Sequence, residues 1–154
     1  MHVCTTRRTA GFTVVELLVA LGIGLALLAV SVSAFANFRD YFALRTASQD
    51  VQLSLIDARG ATLASRNDTV HGVHIESDRV IRFEGSYSAG AATNTEFPFA
   101  NGVTATWSLT GGGAEVVFTR LTGVTPTSGT ITLTEPRSGA VQTITVNASG
   151  SIDL

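Results

Sequence analysis

The chain contains no lysine and only one cysteine. Its 10 basic side chains are all arginine, and 12 acids bring the formal net charge to −2. This balance gives no electrostatic reason to expect nucleic acid or anionic lipid as the main partner. The single Cys4 lies in the N-terminal stub, so no internal disulfide and no thiolate metal site can form. The fold must therefore rest on its own apolar core.

Motifs for catalysis and cofactor binding are absent too. The chain has no GxSxG, HExxH or phosphate-binding loop, and the glycines at 111–113 are followed by strand residues rather than by a helix. His71 and His74 lie three apart on a predicted strand and therefore point to opposite faces, which excludes joint metal ligation. We interpret them as surface or strand-edge residues. No active site, metal or cofactor is expected, so the chain is predicted not to be an enzyme.

Charge is missing from a long N-terminal run. Between Arg8 and Arg39 the only ionisable side chain is Glu16, and residues 17–36 are uncharged. At about 1.5 Å per residue this run spans roughly 30 Å, the thickness of a bilayer core. It therefore predicts a membrane helix or a signal peptide. Arg7 and Arg8 precede the run, which predicts a cytoplasmic N-terminus and an extracytoplasmic remainder.

Two fates of this helix compete. The small-x-small pattern of Ala34-Phe35-Ala36 is typical of a signal peptidase site and would release a soluble protein beginning at Asn37. Against release, the apolar run exceeds the ~7–15 residues of a signal peptide core. Glu16 also argues against release. Placing a carboxylate at mid-bilayer costs about 2.5–3.5 kcal/mol of insertion free energy, less near the interface, so its presence in the helix suggests a specific role.

The stretch RRTAGFTVVELLVALGIG resembles the class III signal of type IV pilins and pseudopilins. The shared pattern is a short basic leader, then glycine, then phenylalanine, then a glutamate. The resemblance implies that Gly11 is the last leader residue, cut from Phe12 by a prepilin peptidase on the cytoplasmic side. It also implies that Phe12 becomes the N-methylated N-terminus. Glu16 corresponds to the fifth-position glutamate of that family.

A physical role for Glu16 is consistent with this resemblance. Cleavage would make the Phe12 amine a positive charge at the membrane edge, and a carboxylate on a neighbouring helix can pair with it. Such a pair, desolvated inside a helix bundle, is directional and sets the axial register between subunits. Many major pilins carry a proline about twenty residues after the cleavage point, where this chain has Ser31-Val32-Ser33. Its absence argues against a major, filament-forming pilin.

The helical pattern continues beyond Ala36. Leu53 and Ile56 lie off the main apolar stripe, and they serve either as a second face for a neighbouring subunit or as cover for sheet edges within the monomer. Asn67-Asp68 predicts a stop, so a single helix from Phe12 to about Arg66 is expected. The main stripe, at three- and four-residue steps, should pack on a sheet; it comprises Leu44, Ala47, Val51, Leu55 and Ala58.

After Asp68 the apolar residues recur at every second position instead of at helical spacing, which predicts an antiparallel meander of β-strands. The segment SYSAGAATNT, within 86–95, is predicted to be a polar loop and a place for partner contacts. We expect an α+β fold in which a long N-terminal helix, half in the membrane and half amphipathic, packs on the sheet. The predicted strands fall within 70–75, 79–83, 103–107, 115–118, 130–134 and 142–146.

A second resemblance covers most of the remaining chain. LSLIDARGATLASRNDTV, VVFTRLTGVTPTSGTITLT and VQTITVNASGSI are similar to the helix end and closing hairpin of H-type minor pseudopilins of type II secretion and FimT-type minor pilins. The resemblance implies a pilin-like subunit with a structural role in a pseudopilus or pilus tip. The implied regions are a cleaved leader at 1–11, a transmembrane and assembly helix at 12–36, its amphipathic continuation at 37–67 and an extracytoplasmic β-sheet domain at 68–154.

The implied partners are other pilins or pseudopilins, the prepilin peptidase and the inner-membrane assembly platform. Two alternatives stay open. One is the secreted β protein that begins at Asn37. The other is a DNA-binding minor pilin for natural transformation, which needs a basic patch. Nucleic acid is not expected, because eight arginines face 12 acids after Gly11; the arginines available for such a patch are Arg79, Arg82, Arg120 and Arg137.

Overall fold

We describe residues 11–100 and 102–154 in a computed structural model. The chain divides into two compact units, Met1–Asn37 and Phe38–Leu154. The first unit contributes the beginning of the only long helix in the described ranges, and the second contains the rest of that helix and every described strand. The architecture is α+β, as predicted.

Helix α1 extends over Val14–Leu63. The stretch contains no proline, so no proline ring interrupts its hydrogen bonds. Ser65, Asn67 and Asp68 adopt positive φ values of 48°, 54° and 56°, and a short 3₁₀ turn covers Arg66–Asp68. The predicted stop at Asn67-Asp68 therefore coincides with left-handed backbone, although the α-helix itself ends slightly earlier than expected.

The main apolar stripe of α1 is buried, which confirms its predicted packing. Its residues alternate with polar ones at helical spacing, so one face of the helix enters the core. Val51 and Leu55 have no exposed surface. They share one apolar cluster with residues of both sheets, among them Val73, Val116 and Ile131.

The described residues contain eight strands, which form two sheets rather than the expected single meander. The strands are β1 His71–Ile75, β2 Arg79–Glu84, β3 Thr95–Pro98, β4 Thr104–Leu109, β5 Glu115–Val117, β6 Gly129–Thr134, β7 Val141–Val146 and β8 Ile152–Asp153. The first sheet has the order β3-β2-β1-β5 and the second has the order β4-β6-β7-β8, with antiparallel neighbours in both. Successive strands β4 and β5 thus belong to different sheets.

The prediction that the two histidines lie at the surface or a strand edge is wrong. Strand β1 lies between β2 and β5, and His71 is only 6% exposed. Its Nε2 lies 3.2 Å from the Arg66 carbonyl oxygen. The His74 ring stacks on Tyr87 with centroids 3.8 Å apart. His71 lies on the same face of β1 as Val73 and Ile75, which belong to the core, whereas His74 lies on the other face and is covered by Tyr87. The local sequence pattern does not specify either cover.

The predicted loop contributes that tyrosine, so part of it covers the first sheet. Tyr87 also contacts Phe83, with ring centroids 5.6 Å apart. Phe83 pairs across the strands with Gly72, where a Cβ would lie 2.6 Å from the Phe83 ring. Glycine at 72 therefore makes room for the aromatic ring beneath the loop.

Candidate processing and assembly site

The residues on either side of the predicted cleavage point precede α1. Gly11 and Phe12 belong to no helix or strand, and Phe12 is 82% exposed. A Cβ placed on Gly11 would meet no described atom within 4 Å. Among the described residues, no contact therefore requires a glycine at position 11, and both Gly11 and Phe12 are exposed.

Thr13 caps the first turn of α1. Its Oγ1 accepts a hydrogen bond from the backbone N–H of Glu16 at 3.2 Å, and its carbonyl accepts one from the N–H of Leu17 at 3.1 Å. Threonine followed three residues later by glutamate is the capping-box pattern. Glu16 thus occupies the helix start, where a carboxylate also interacts favourably with the helix dipole. This local role was not anticipated, although the Thr-x-x-Glu spacing carries the signal.

Beyond the cap, Val14–Ser31 forms an apolar surface with a mean hydropathy of 2.5. None of this segment is buried. At ~1.5 Å per residue its length approaches the thickness of a bilayer core. The hydroxyl of Ser31 donates to the Leu27 carbonyl oxygen at 2.8 Å, so this polar group is satisfied within the helix. Within the described ranges, one helix is long and apolar enough to cross a membrane.

Glu16 is exposed on this apolar helix, and no basic side chain pairs with it in the described part of the chain. Residues 11–37 contain no arginine, lysine or histidine. Arg7 and Arg8 lie outside the described residues. The first unit from Gly11 onward therefore supplies no cationic partner for Glu16.

In the second unit, Arg59 of α1 holds two loops together. Its Nε donates to the Gly123 carbonyl oxygen at 3.1 Å, and its Nη2 reaches the Ser149 carbonyl oxygen at 3.5 Å. Gly150 lies beside this contact with a φ of +82°. Two of the features that carry the second resemblance, Arg59 and the glycine after the closing hairpin, therefore meet in space. They border an open cleft of about 360 Å³ lined by Ile56, Arg59, Gly60, Leu63, Gly150, Ser151 and Ile152.

The arginines considered for a basic patch each have a carboxylate partner. Arg79 contacts Glu76, Asp78 and Glu96 through its guanidinium group. The interaction with Asp78 lowers the pKa of that carboxyl, chiefly through the hydrogen bond from Arg79. Of the other three arginines, Arg82 pairs with Asp57, Arg120 with Asp68 and Arg137 with Asp40.

Within residues 11–100 and 102–154, no group of three His, Cys, Asp or Glu side chains lies close enough to hold a metal ion. The acids near the first hairpin, including Glu76 and Asp78, surround Arg79 instead. Their geometry serves ion pairing rather than a facing pair of carboxylates.

Comparisons with protein-family models, curated proteins and solved structures find no match for this chain. The functional interpretation consequently depends on the residues themselves. The predicted processing residues Gly11 and Phe12 and the predicted assembly residue Glu16 lie together at the start of α1, and Arg59 forms a separate contact within the second unit.

Proposed function

We propose that this chain is a minor subunit of a type IV pilin-like assembly, either a pseudopilin of type II secretion or a minor pilin. It is held in the inner membrane by the segment 12–36, with a cytoplasmic N-terminus and an extracytoplasmic domain. The observation that carries the proposal is the exposed apolar segment Val14–Ser31, which follows Gly11-Phe12-Thr13 and contains Glu16 as its only ionisable side chain.

The exposure of this segment supports a membrane or helix-bundle environment. Contiguous apolar surface of this extent is rare on a soluble monomer. Lipid tails or neighbouring apolar helices would remove it from water, and the hydrogen bond within the helix at Ser31 suits either setting. The membrane half therefore serves first as an anchor and then as a packing surface in the assembly.

Gly11 supports processing at this point. A side chain there would meet none of the described atoms, so their packing gives no reason for glycine, whereas a peptidase that draws the chain into a narrow active site would. Cleavage after Gly11 would leave Phe12 as an N-methylated terminus beside a capped helix. The partners are then the prepilin peptidase, the inner-membrane assembly platform, and other pilins or pseudopilins.

Glu16 supports assembly through charge pairing. After cleavage, each subunit carries an amine at Phe12 and a carboxylate at Glu16. A carboxylate and an amine on adjacent helices attract strongly when water is excluded, because the effective dielectric constant is low. The pair would fix one axial register between neighbouring subunits. In this role the chain is a structural subunit that fixes the axial position of its neighbours, while other components drive the extension of the assembly.

Mass spectrometry of the mature N-terminus tests the processing step. The expected species begins at methylated Phe12 when the chain is produced together with a prepilin peptidase. A chain that retains Met1 would be a plain membrane anchor, and one that begins at Asn37 would be a secreted protein. Either result would refute the proposal. Gly11→Leu is the matched variant and should remain uncleaved but membrane-bound.

Paired substitutions at Glu16 separate its charge from its capping role. Glutamine retains the capping-box pattern but removes the charge, whereas alanine removes both. If charge pairing matters, Glu16→Gln and Glu16→Ala should both insert in the membrane and both fail to join the assembly, as measured by co-purification with the other subunits. Normal assembly of Glu16→Gln would exclude the pairing mechanism.

A further inference from the structure

The part of α1 in the second unit has an apolar face that the monomer does not cover. Leu53 is 57% exposed and Ile56 is 48% exposed, so neither is buried by a sheet edge. They belong to an uncharged row at alternating three- and four-residue steps, which we call the outer stripe. The outer stripe consists of Phe42, Thr46, Gln49, Leu53, Ile56, Gly60 and Leu63, all of them exposed.

This spacing matches the a and d positions of a coiled coil. Thr46, Leu53 and Gly60 recur every seven residues, and the other members of the stripe lie between them as d positions. The opposite face of the helix already fills the core, with Val51 and Leu55 fully buried. The outer stripe is therefore a second potential contact surface of the same helix rather than an extension of the core.

Gly60 supports a close neighbour on the outer stripe. Glycine inside a helix costs about 1 kcal/mol relative to alanine. At Gly60 a Cβ would meet no described atom within 4 Å, so no contact within the described part of the chain explains the glycine. A small residue on a helix surface does, however, let another helix approach closely.

Charges of opposite sign flank the outer stripe. On one side Arg45 and Arg59 precede a positions, and on the other side Asp50 and Asp57 follow d positions. Asp57 is paired with Arg82 at 2.7 Å, and Arg59 donates to loop carbonyls. Arg45 and Asp50 have no ion pair with any described residue, and burial raises the pKa of Asp50.

The charge arrangement distinguishes the possible partners. In a parallel pair of helices, the residue before an a position faces the residue after a d position of the other helix, so Arg45 would meet Asp50. In an antiparallel pair, like positions would face each other and place Arg45 near a second Arg45 or Arg59. Opposite charges favour the parallel pair, and like charges disfavour the antiparallel one.

We propose that the outer stripe docks against the same stripe of a second copy of this chain, with the two helices parallel and in register. Arg45 of each copy then pairs with Asp50 of the other, and Leu53 and Ile56 form the apolar centre of the contact. The contact is independent of the cleavage after Gly11, so an uncleaved chain would form it as well.

Cysteine cross-linking in membranes tests the register. The full-length chain with Cys4→Ser receives a cysteine at either Thr46 or Leu53, since paired a positions lie within disulfide reach. Both variants should give dimers of two identical chains under mild oxidation. The control, Thr143→Cys on β7, is exposed but outside the stripe and should stay monomeric. Cross-linking at Leu53 but not Thr46 indicates an antiparallel pair, and adducts to a different protein indicate another partner; either result overturns the proposal.

Charge exchange tests the specificity in the Leu53→Cys background. Arg45→Asp alone and Asp50→Arg alone should each lower the dimer yield by about fivefold or more, because each places like charges in contact. The double exchange should restore the yield to near the original level. Equal yields in all variants, or a double exchange as weak as the single ones, would overturn the pairing of Arg45 with Asp50.

Discussion

Arg59 and Gly150 meet at one backbone carbonyl, that of Gly123. The guanidinium Nε donates to this oxygen at 3.1 Å, and a Cβ on Gly150 would overlap the same oxygen and lie 2.8 Å from the Arg59 Nε. Helix α1, the loop after β5 and the turn before β8 thus contact one another at this carbonyl group. Such a contact stabilises the end of the helix against the second sheet.

We therefore expect Gly150→Ala to destabilise the second unit. Its φ of +82° is unfavourable for alanine, and the added methyl group must displace a carbonyl or the arginine. These costs together should exceed about 2 kcal/mol in the free energy of unfolding. Urea unfolding of the detergent-solubilised chain, followed by the fluorescence of Trp107, measures the effect.

Gly90→Ala is the matched control for this prediction. Gly90 has a similar φ of +76°, but a Cβ there would meet nothing within 4 Å. Its substitution should cost only the backbone strain, about 1–2 kcal/mol. Equal losses for the two variants would mean that close approach at Gly150 contributes nothing.

The Thr13 cap can be tested without touching the charge of Glu16. Thr13→Val retains the shape of the side chain but removes the hydroxyl that accepts the Glu16 N–H. Loss of a cap costs about 1 kcal/mol, so amide hydrogen exchange in the first turn of α1 should accelerate about fivefold. Thr13→Ser keeps the acceptor and should exchange like the original chain. If the valine variant is equally protected, the hydroxyl is not the cap.

The helix and the strand positions follow from local patterns, which is why they were predictable. The buried residues of α1 repeat at helical spacing, and Ile131 and Leu133 alternate with threonines on a strand whose apolar face is buried. Strand β3 and strand β8 were missed because their sequences, TEFP and ID, contain no run of β-branched residues, whereas the similarly short β5 has Val116 and Val117. Such strands take their conformation from the neighbour to which they bond.

The division into two sheets was not predictable from the same patterns. Alternation tells which face of a strand is apolar, but not which strand lies beside it. The pairing of β1 with β5 joins residues distant in sequence, such as Val73 and Val116, and depends on how the whole core packs. Similarly, the sequence located Gly11, Phe12 and Glu16, but their proposed roles involve other molecules.

A matched pair of leucines in α1 distinguishes its core face from its outer stripe. Leu55 has no exposed surface, so Leu55→Ala should cost about 2–5 kcal/mol in the free energy of unfolding. Leu53 is exposed on the outer stripe, and Leu53→Ala should change the stability of the monomer by no more than about 0.5 kcal/mol. Both are measured by urea unfolding in dilute detergent solution. A large loss at Leu53 would mean that the stripe is covered within the monomer.

Glu135 should make the second unit sensitive to acid. The residue is buried, and its carboxylate accepts hydrogen bonds from the Ser138 hydroxyl at 2.6 Å and from the backbone N–H groups of Ser138 and Arg137 at 2.6 and 2.9 Å. These donors, the hydroxyl first, lower the pKa of Glu135. A carboxyl with a depressed pKa in the folded state contributes stability above its unfolded pKa, about 4.3, and loses it as the pH falls through the folded value.

The stability difference between the original chain and Glu135→Gln should therefore be largest near neutral pH and shrink below about pH 4.3, because protonation removes the charge that the donors stabilise. Ser138→Ala removes the strongest donor and should move the acid transition to higher pH. Urea unfolding repeated across this pH range measures both effects. A difference that stays constant with pH would show that the loop is held by shape alone, with no contribution from the ionised carboxylate.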